Sequence, residues 1–134
     1  MGSIETVLDF MERINKRDPE KLVELMTEDP TFIDSAGNTV QGLEKMRAAW
    51  RGYFAFCPDY WVMHEGILAN GSVVAVFGAA GGTLGKDRKL PPENKWRTSA
   101  AWQAQVENGL VKKWQVYADN KPVYDIVARS KAQG

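Results

Sequence analysis

Apolar positions recur with helical spacing in the first part of the chain and with strand spacing in the rest. Ile4, Val7, Leu8, Met11 and Ile14 fall within a stripe of about 120° on a helical wheel. Ser3 ahead of them is a suitable N-cap, so the spacing predicts a helix over 4–16. Asp18-Pro19 offers a cap followed by proline at the first helical position. Leu22, Val23, Leu25 and Met26 then carry a short second helix, ended near Asp29-Pro30. Thr31 to Asp34 is a short β segment, and Ser35 to Asn38 is a turn by composition. After Gly42, the stripe of Leu43, Met46, Trp50, Tyr53 and Phe54 predicts a third helix over 43–55, stopped before Cys57-Pro58.

Beyond Tyr60 the period changes. Segments 60–69 and 72–82 flank Asn70-Gly71, a hairpin signal, and 95–106 and 110–118 flank Glu107-Asn108-Gly109, a second one. The polar stretch 85–94, with Pro91-Pro92, lies between the hairpins, and Asn120-Lys121-Pro122 opens a short terminal helix through Val127. Helices gathered first and strands afterwards imply α+β rather than alternating α/β. A long antiparallel meander must curl around those helices to bury its apolar side. Where they do not fill the concavity, a pocket remains.

Composition narrows the function classes. The 134 residues make one domain, 1–134, large enough to hold a core without disulfide or structural metal. Lys+Arg and Asp+Glu are 17 each, so the chain lacks the basic excess that nucleic acid or an anionic membrane surface requires. One cysteine permits no internal disulfide, and one histidine rules out a multi-histidine metal site. No Walker, HExxH, CxxC or GxSxG pattern occurs, and no cofactor is expected. The run from Gly78 to Gly85 does not open a helix, so it is no dinucleotide fingerprint. No segment approaches the ~18 apolar residues of a membrane span. Glu5 and Asp9 stand where a signal peptide would be apolar, so a cytoplasmic location is expected.

Three local signatures resemble the nuclear transport factor 2-like superfamily, and within it the SnoaL-like domains. Asn15-Lys16-Arg17-Asp18-Pro19 to Met26, followed by Phe32-Ile33-Asp34-Ser35-Ala36-Gly37, looks like their helix–helix–strand opening. Gly82-Thr83-Leu84-Gly85, with Pro91-Pro92 further on, looks like the strand–loop segment before the last hairpin. Trp114-Gln115-Val116-Tyr117-Ala118-Asp119 looks like the final strand, where an acid recurs five residues after a tryptophan. The resemblance runs over about 4–128. It implies N-terminal helices packed into a strongly curved antiparallel sheet, a cone-shaped half-barrel with an internal apolar pocket. It also implies a homodimer through the outer sheet face and a small apolar or aromatic molecule as partner. The fold alone does not fix a function, because this scaffold hosts many.

Asp119 matches the acid that works in the pocket of SnoaL-like cyclases and limonene epoxide hydrolase, where an apolar cavity raises a carboxyl pKa toward neutrality. Its other reading is a cap for the segment beginning at Asn120. Asp34 matches the general base of ketosteroid isomerases by its Phe-Ile-Asp-Ser-Ala-Gly context, and equally reads as an Asx turn. The departures matter as much. Phe10 and Ala101 stand where the isomerases carry their oxyanion-hole Tyr and Asp, so dienolate stabilisation is missing. Val73 to Gly82 carries no charge, which leaves the epoxide-hydrolase triad incomplete, and Leu84 replaces a histidine frequent in the cyclases. Each of these chemistries therefore lacks a part.

The expected site combines Asp119 and Asp34 as acid/base residues with Phe10, Trp50, Tyr53, His64 and Tyr117 as ligand-binding walls. His64, the only imidazole, is either a pocket acid/base or a structural strand residue. Cys57 is expected to be a buried bystander. Residues 86–89 form a charged loop tip, with a lid as their second reading. Two readings of function remain, an acid/base enzyme on a mostly apolar substrate and a non-catalytic ligand-binding or dimerisation domain.

Overall fold

The computed structural model describes residues 2–85 and 89–133, and the charged tip at 86–88, with its lid reading, lies outside them. The chain begins with α1 (Ser3–Lys16), whose inward stripe of Val7, Phe10, Met11 and Ile14 is buried. The helix ends on Arg17 in the left-handed conformation (φ 55°). Asp18 then caps α2 (Pro19–Glu24), its carboxylate accepting from the backbone N–H of Glu20 and Lys21.

The second helix stops earlier than its apolar pattern suggests. Met26 belongs to β1 (Met26–Ile33), because the neighbouring strand claims this backbone: Val111 N–H donates to the Leu25 carbonyl at 2.7 Å, and Met26 pairs with Val111. A tertiary ladder has overridden local helix propensity. Pro30 sits where the β1 register shifts, a place where a missing ladder donor is tolerated. A short β2 (Thr39–Gln41) folds back on β1, and α3 (Leu43–Phe56) follows.

Next come β3 (Trp61–Asn70), β4 (Val73–Thr83), a 3₁₀ turn (Pro92–Asn94), β5 (Lys95–Glu107), β6 (Leu110–Ala118) and α4 (Lys121–Gln133). Asn108 and Gly109, at φ 53° and 76°, form the two-residue turn between β5 and β6, as a type I′ turn requires. The six strands form one curved, unclosed sheet in the order β2-β1-β6-β5-β4-β3. It is mixed rather than wholly antiparallel, since β1 runs parallel to β6. The terminal helix extends to Gln133 instead of ending near Val127.

Alternation along the last hairpin settles which face is inside. Trp96, Ala100, Trp102, Ala104 and Trp114 are buried inward against the helices, with Phe10 of α1 packing on Trp114 at 4.8 Å between ring centroids. The opposite parity carries Arg97, Gln103, Gln105, Lys113 and Gln115 on the outside. The edge of β3 is closed by Asn15, whose side chain donates to the Val62 carbonyl at 3.0 Å and accepts its N–H at 2.8 Å. A side-chain amide here mimics a neighbouring strand.

Candidate functional site

The helices do not fill the cone. Between α3 and the inner faces of β1, β5 and β6 lies a cavity of about 500 Å³. Its walls are aromatic: Phe32 from β1, Trp50 and Tyr53 from α3, Tyr60 just before β3, Trp96 from β5 and Trp114 from β6. Trp50 is the hub, edge-on to Phe32 at 5.7 Å and to Tyr53 at 6.5 Å. Tyr53 in turn meets Tyr60 edge-on at 4.8 Å, and Tyr60 stacks near Trp96 at 6.2 Å. Small residues on the inward strand parity, Ala80, Ala100 and Ala118, leave the space between these rings open.

The polar groups gather at the mouth. Asp34, Ser35 and Asn38 from the turn after β1 face Asn120 and Tyr124 at the start of α4. Asn120 Nδ2 donates to Ser35 Oγ and ties the two sides together. Asp34 is an Asx turn and a cavity residue at once. Its Oδ1 accepts from Ala36 N and Asn38 N, each at 2.9 Å, and its Oδ2 accepts from Asn38 Nδ2 at 3.1 Å. No lysine, arginine or histidine lines the cavity among the described residues.

The expected site residues separate into three groups. Trp50, Tyr53 and Asp34 are on the cavity. Phe10 is fully buried behind it, in the core against Trp114. Asp119, Tyr117 and His64 stand outside the cavity wall, and all three are exposed. For Asp119 and Tyr117 the reason is alternation: Trp114, Val116 and Ala118 face inward, so residues 117 and 119 face out. The Asp119 carboxylate does what a cap does, accepting the N–H of Lys121 at 2.9 Å at the start of α4. His64 sits on edge strand β3, beside the register shift that lies between His64 and Gly66.

Tyr60 is a cavity residue not among the expected walls. The segment expected to be strand from 60 begins at Trp61, so Tyr60 lies in the turn between α3 and β3, and the approach of its ring to Tyr53 places it on the cavity. Burial pushes both phenol pKa values well above the ordinary tyrosine range, and no hydrogen bond contributes to either shift. Both side chains therefore stay neutral at any physiological pH.

Below the cavity, Cys57 is buried and free. Burial pushes its thiol up to about 11, and the neighbouring Trp96 indole N–H opposes the shift. That indole N–H is the one fully covered side-chain donor among the described residues without an ordinary hydrogen-bond partner. Asp59 beside it is fully employed, accepting Thr83 N at 2.6 Å and Thr83 Oγ1 at 2.9 Å, which pins the turn before β3 to the end of β4. No group of three or more potential metal ligands occurs among the described residues. No described helix is long and apolar enough to cross a membrane.

The family model for the SnoaL-like domain matches residues 7–114. The chain belongs to the SnoaL-like domain family. No curated protein matches it. Solved structures share the fold at low identity. One is a Jannaschia protein named for its likeness to SnoaL-type polyketide cyclases (21% identity, 93% of this chain and 90% of that one, TM-score 0.78). Another is an epoxide hydrolase of Mycobacterium tuberculosis resembling limonene epoxide hydrolase (15% identity, 95% and 90%, TM-score 0.76). A third is a ketosteroid isomerase-like fold from Catenulispora acidiphila, in complex with trimethylamine (18% identity, 84% of each chain, TM-score 0.73). At these identities the likeness to each is one of fold.

Proposed function

We propose that this SnoaL-like protein binds a small, neutral, mostly apolar or aromatic molecule in its interior cavity. The observation that carries this reading is an unfilled, aromatic-walled space of about 500 Å³ at the centre of a 134-residue domain. Protein interiors are ordinarily close-packed, and ligand sites of small molecules run from about 300 to 1,000 Å³. The wall offers rings for stacking and, among the described residues, no cation to compensate an anionic ligand, so burying a carboxylate against them would leave its charge unpaired.

Binding without turnover is favoured over acid/base catalysis by one further feature. Asp34 is the only carboxylate on the cavity among the described residues, and its oxygens already accept three hydrogen bonds from the turn they hold. Asp119 is exposed, is not among the residues that line the cavity, and accepts the N–H of Lys121.

A thermal-shift series over steroids, terpenes, polyketides and aromatic acids tests the reading. A ligand at a hundred times its Kd stabilises the folded state by about 2.7 kcal/mol. Neutral compounds raise the melting temperature and aromatic acids do not. A series in which only the acids stabilise the protein contradicts the proposal.

The reading includes a second copy of the chain as partner, through the outer sheet face. Phe77, Ala101 and Tyr117 are direct neighbours across β4, β5 and β6, and Phe77 and Tyr117 are 50% and 49% exposed. Two large rings in one cross-strand row are an apolar patch that a symmetric partner would cover.

A further inference from the structure

Resting on the reading that the cavity binds a neutral molecule, we propose that Tyr53 and Tyr60 form a donor pair that selects ligands carrying a carbonyl-type hydrogen-bond acceptor on an aromatic or flat apolar body. The Asp34 carboxylate accepts three hydrogen bonds from its own turn, and Asn120 is bonded to Ser35. At the other end, the Tyr53 and Tyr60 rings meet edge-on at 4.8 Å, and neither phenol is hydrogen-bonded to any described residue.

Neither oxygen is sealed over, since the one fully covered orphan among the described side chains is the Trp96 indole nitrogen. Tyr60 is only 7% exposed and, like Tyr53, lines the cavity. A buried hydroxyl without a partner costs free energy, and a bound acceptor removes that cost. Because burial disfavours ionisation, both phenols present O–H at neutral pH and act as donors toward a ligand oxygen. The surrounding rings of Trp50 and Trp96 fit a flat body behind that oxygen. The selection rule is therefore a ketone, quinone or lactone over the matching hydrocarbon, and either over a carboxylate. These donors sit on α3 and in the turn before β3.

Three probes of one shape separate this inference from the reading beneath it: acetylnaphthalene, isopropenylnaphthalene and naphthoate. Each is titrated into the full chain and followed by the indole N–H resonances in proton–nitrogen NMR spectra. The ketone binds about fivefold more tightly than the hydrocarbon, as one net hydrogen bond of about 1 kcal/mol implies. Naphthoate is the weakest. Tyr53→Phe and Tyr60→Phe each lower the affinity for the ketone by more than they change that for the hydrocarbon, so the preference for the ketone shrinks. Equal affinity for ketone and hydrocarbon in the native protein overturns the donor pair while leaving the cavity reading standing. A ketone preference that survives both substitutions also overturns it. Failure of both neutral probes to bind overturns the cavity reading and this inference with it.

Discussion

A single step of alternation decides whether an acid at a strand end meets the core or water. Asp119 follows Ala118, which faces the cavity, and so points outward to cap the N–H of Lys121. Asp119→Asn keeps a side-chain oxygen in the same place and should leave thermal stability nearly unchanged. Asp119→Ala removes it and should cost up to about 1 kcal/mol, read from denaturant midpoints. Cys57 makes the opposite case, a group defined by its burial. With its thiol at about 11 instead of the ordinary 9, it should resist iodoacetamide at pH 8 in the folded protein and react at once in urea. The sign for stability follows from linkage. Between pH 9 and 11 the unfolded thiol loses its proton while the folded one keeps it, so the folded state binds more protons and stability falls as pH rises. The two buried phenols add to the fall from about pH 10 upward. Urea midpoints measured from pH 7 to 10.5 should decline steadily above pH 9. A flat profile would contradict this account of the buried groups.

At the scale of elements, most of the fold is legible in the pattern of the chain. The amphipathic stripes of α1 and α3, and the Asn108-Gly109 turn, act through local spacing and turn chemistry, which sequence displays. What pattern does not display is pairing between distant segments. Met26 looks helical until β6 claims its backbone, and β1 runs parallel to β6 for the same non-local reason. The site is half legible. Trp50 and Tyr53 lie on a helical stripe, whereas Tyr60 lies in a turn and becomes a wall only through the meeting of α3 and β3. Phe10 is core rather than wall because Trp114 lies against it. Gly81 shows how closely the elements are fitted. A Cβ there would stand 2.6 Å from Trp61 Cζ2 and 2.7 Å from the Trp96 carbonyl oxygen. Trp61 lies across β4 at this point, with the Arg97 guanidinium 5.4 Å from its ring centroid. Gly81→Ala should therefore destabilise the protein by about 1–3 kcal/mol, and calorimetry would show the lowered melting temperature.

For the whole molecule, the two faces of the sheet differ. The inner face encloses the cavity, and the outer face carries the row of Phe77, Ala101 and Tyr117. Light scattering at tens of micromolar should give the mass of two chains, and Phe77→Glu should return that of one with an unchanged circular dichroism spectrum. A monomeric native protein would contradict the proposed second copy. The central claim concerns the inner face, and intermolecular nuclear Overhauser effects to naphthalene test it most directly, since this bare hydrocarbon asks nothing of the phenols. The account predicts contacts from naphthalene protons to the rings of Trp50, Tyr53, Trp96 and Trp114. Contacts confined to Phe77 and Tyr117 outside, or to Phe56 and Leu90 in the groove beside α4, would contradict it.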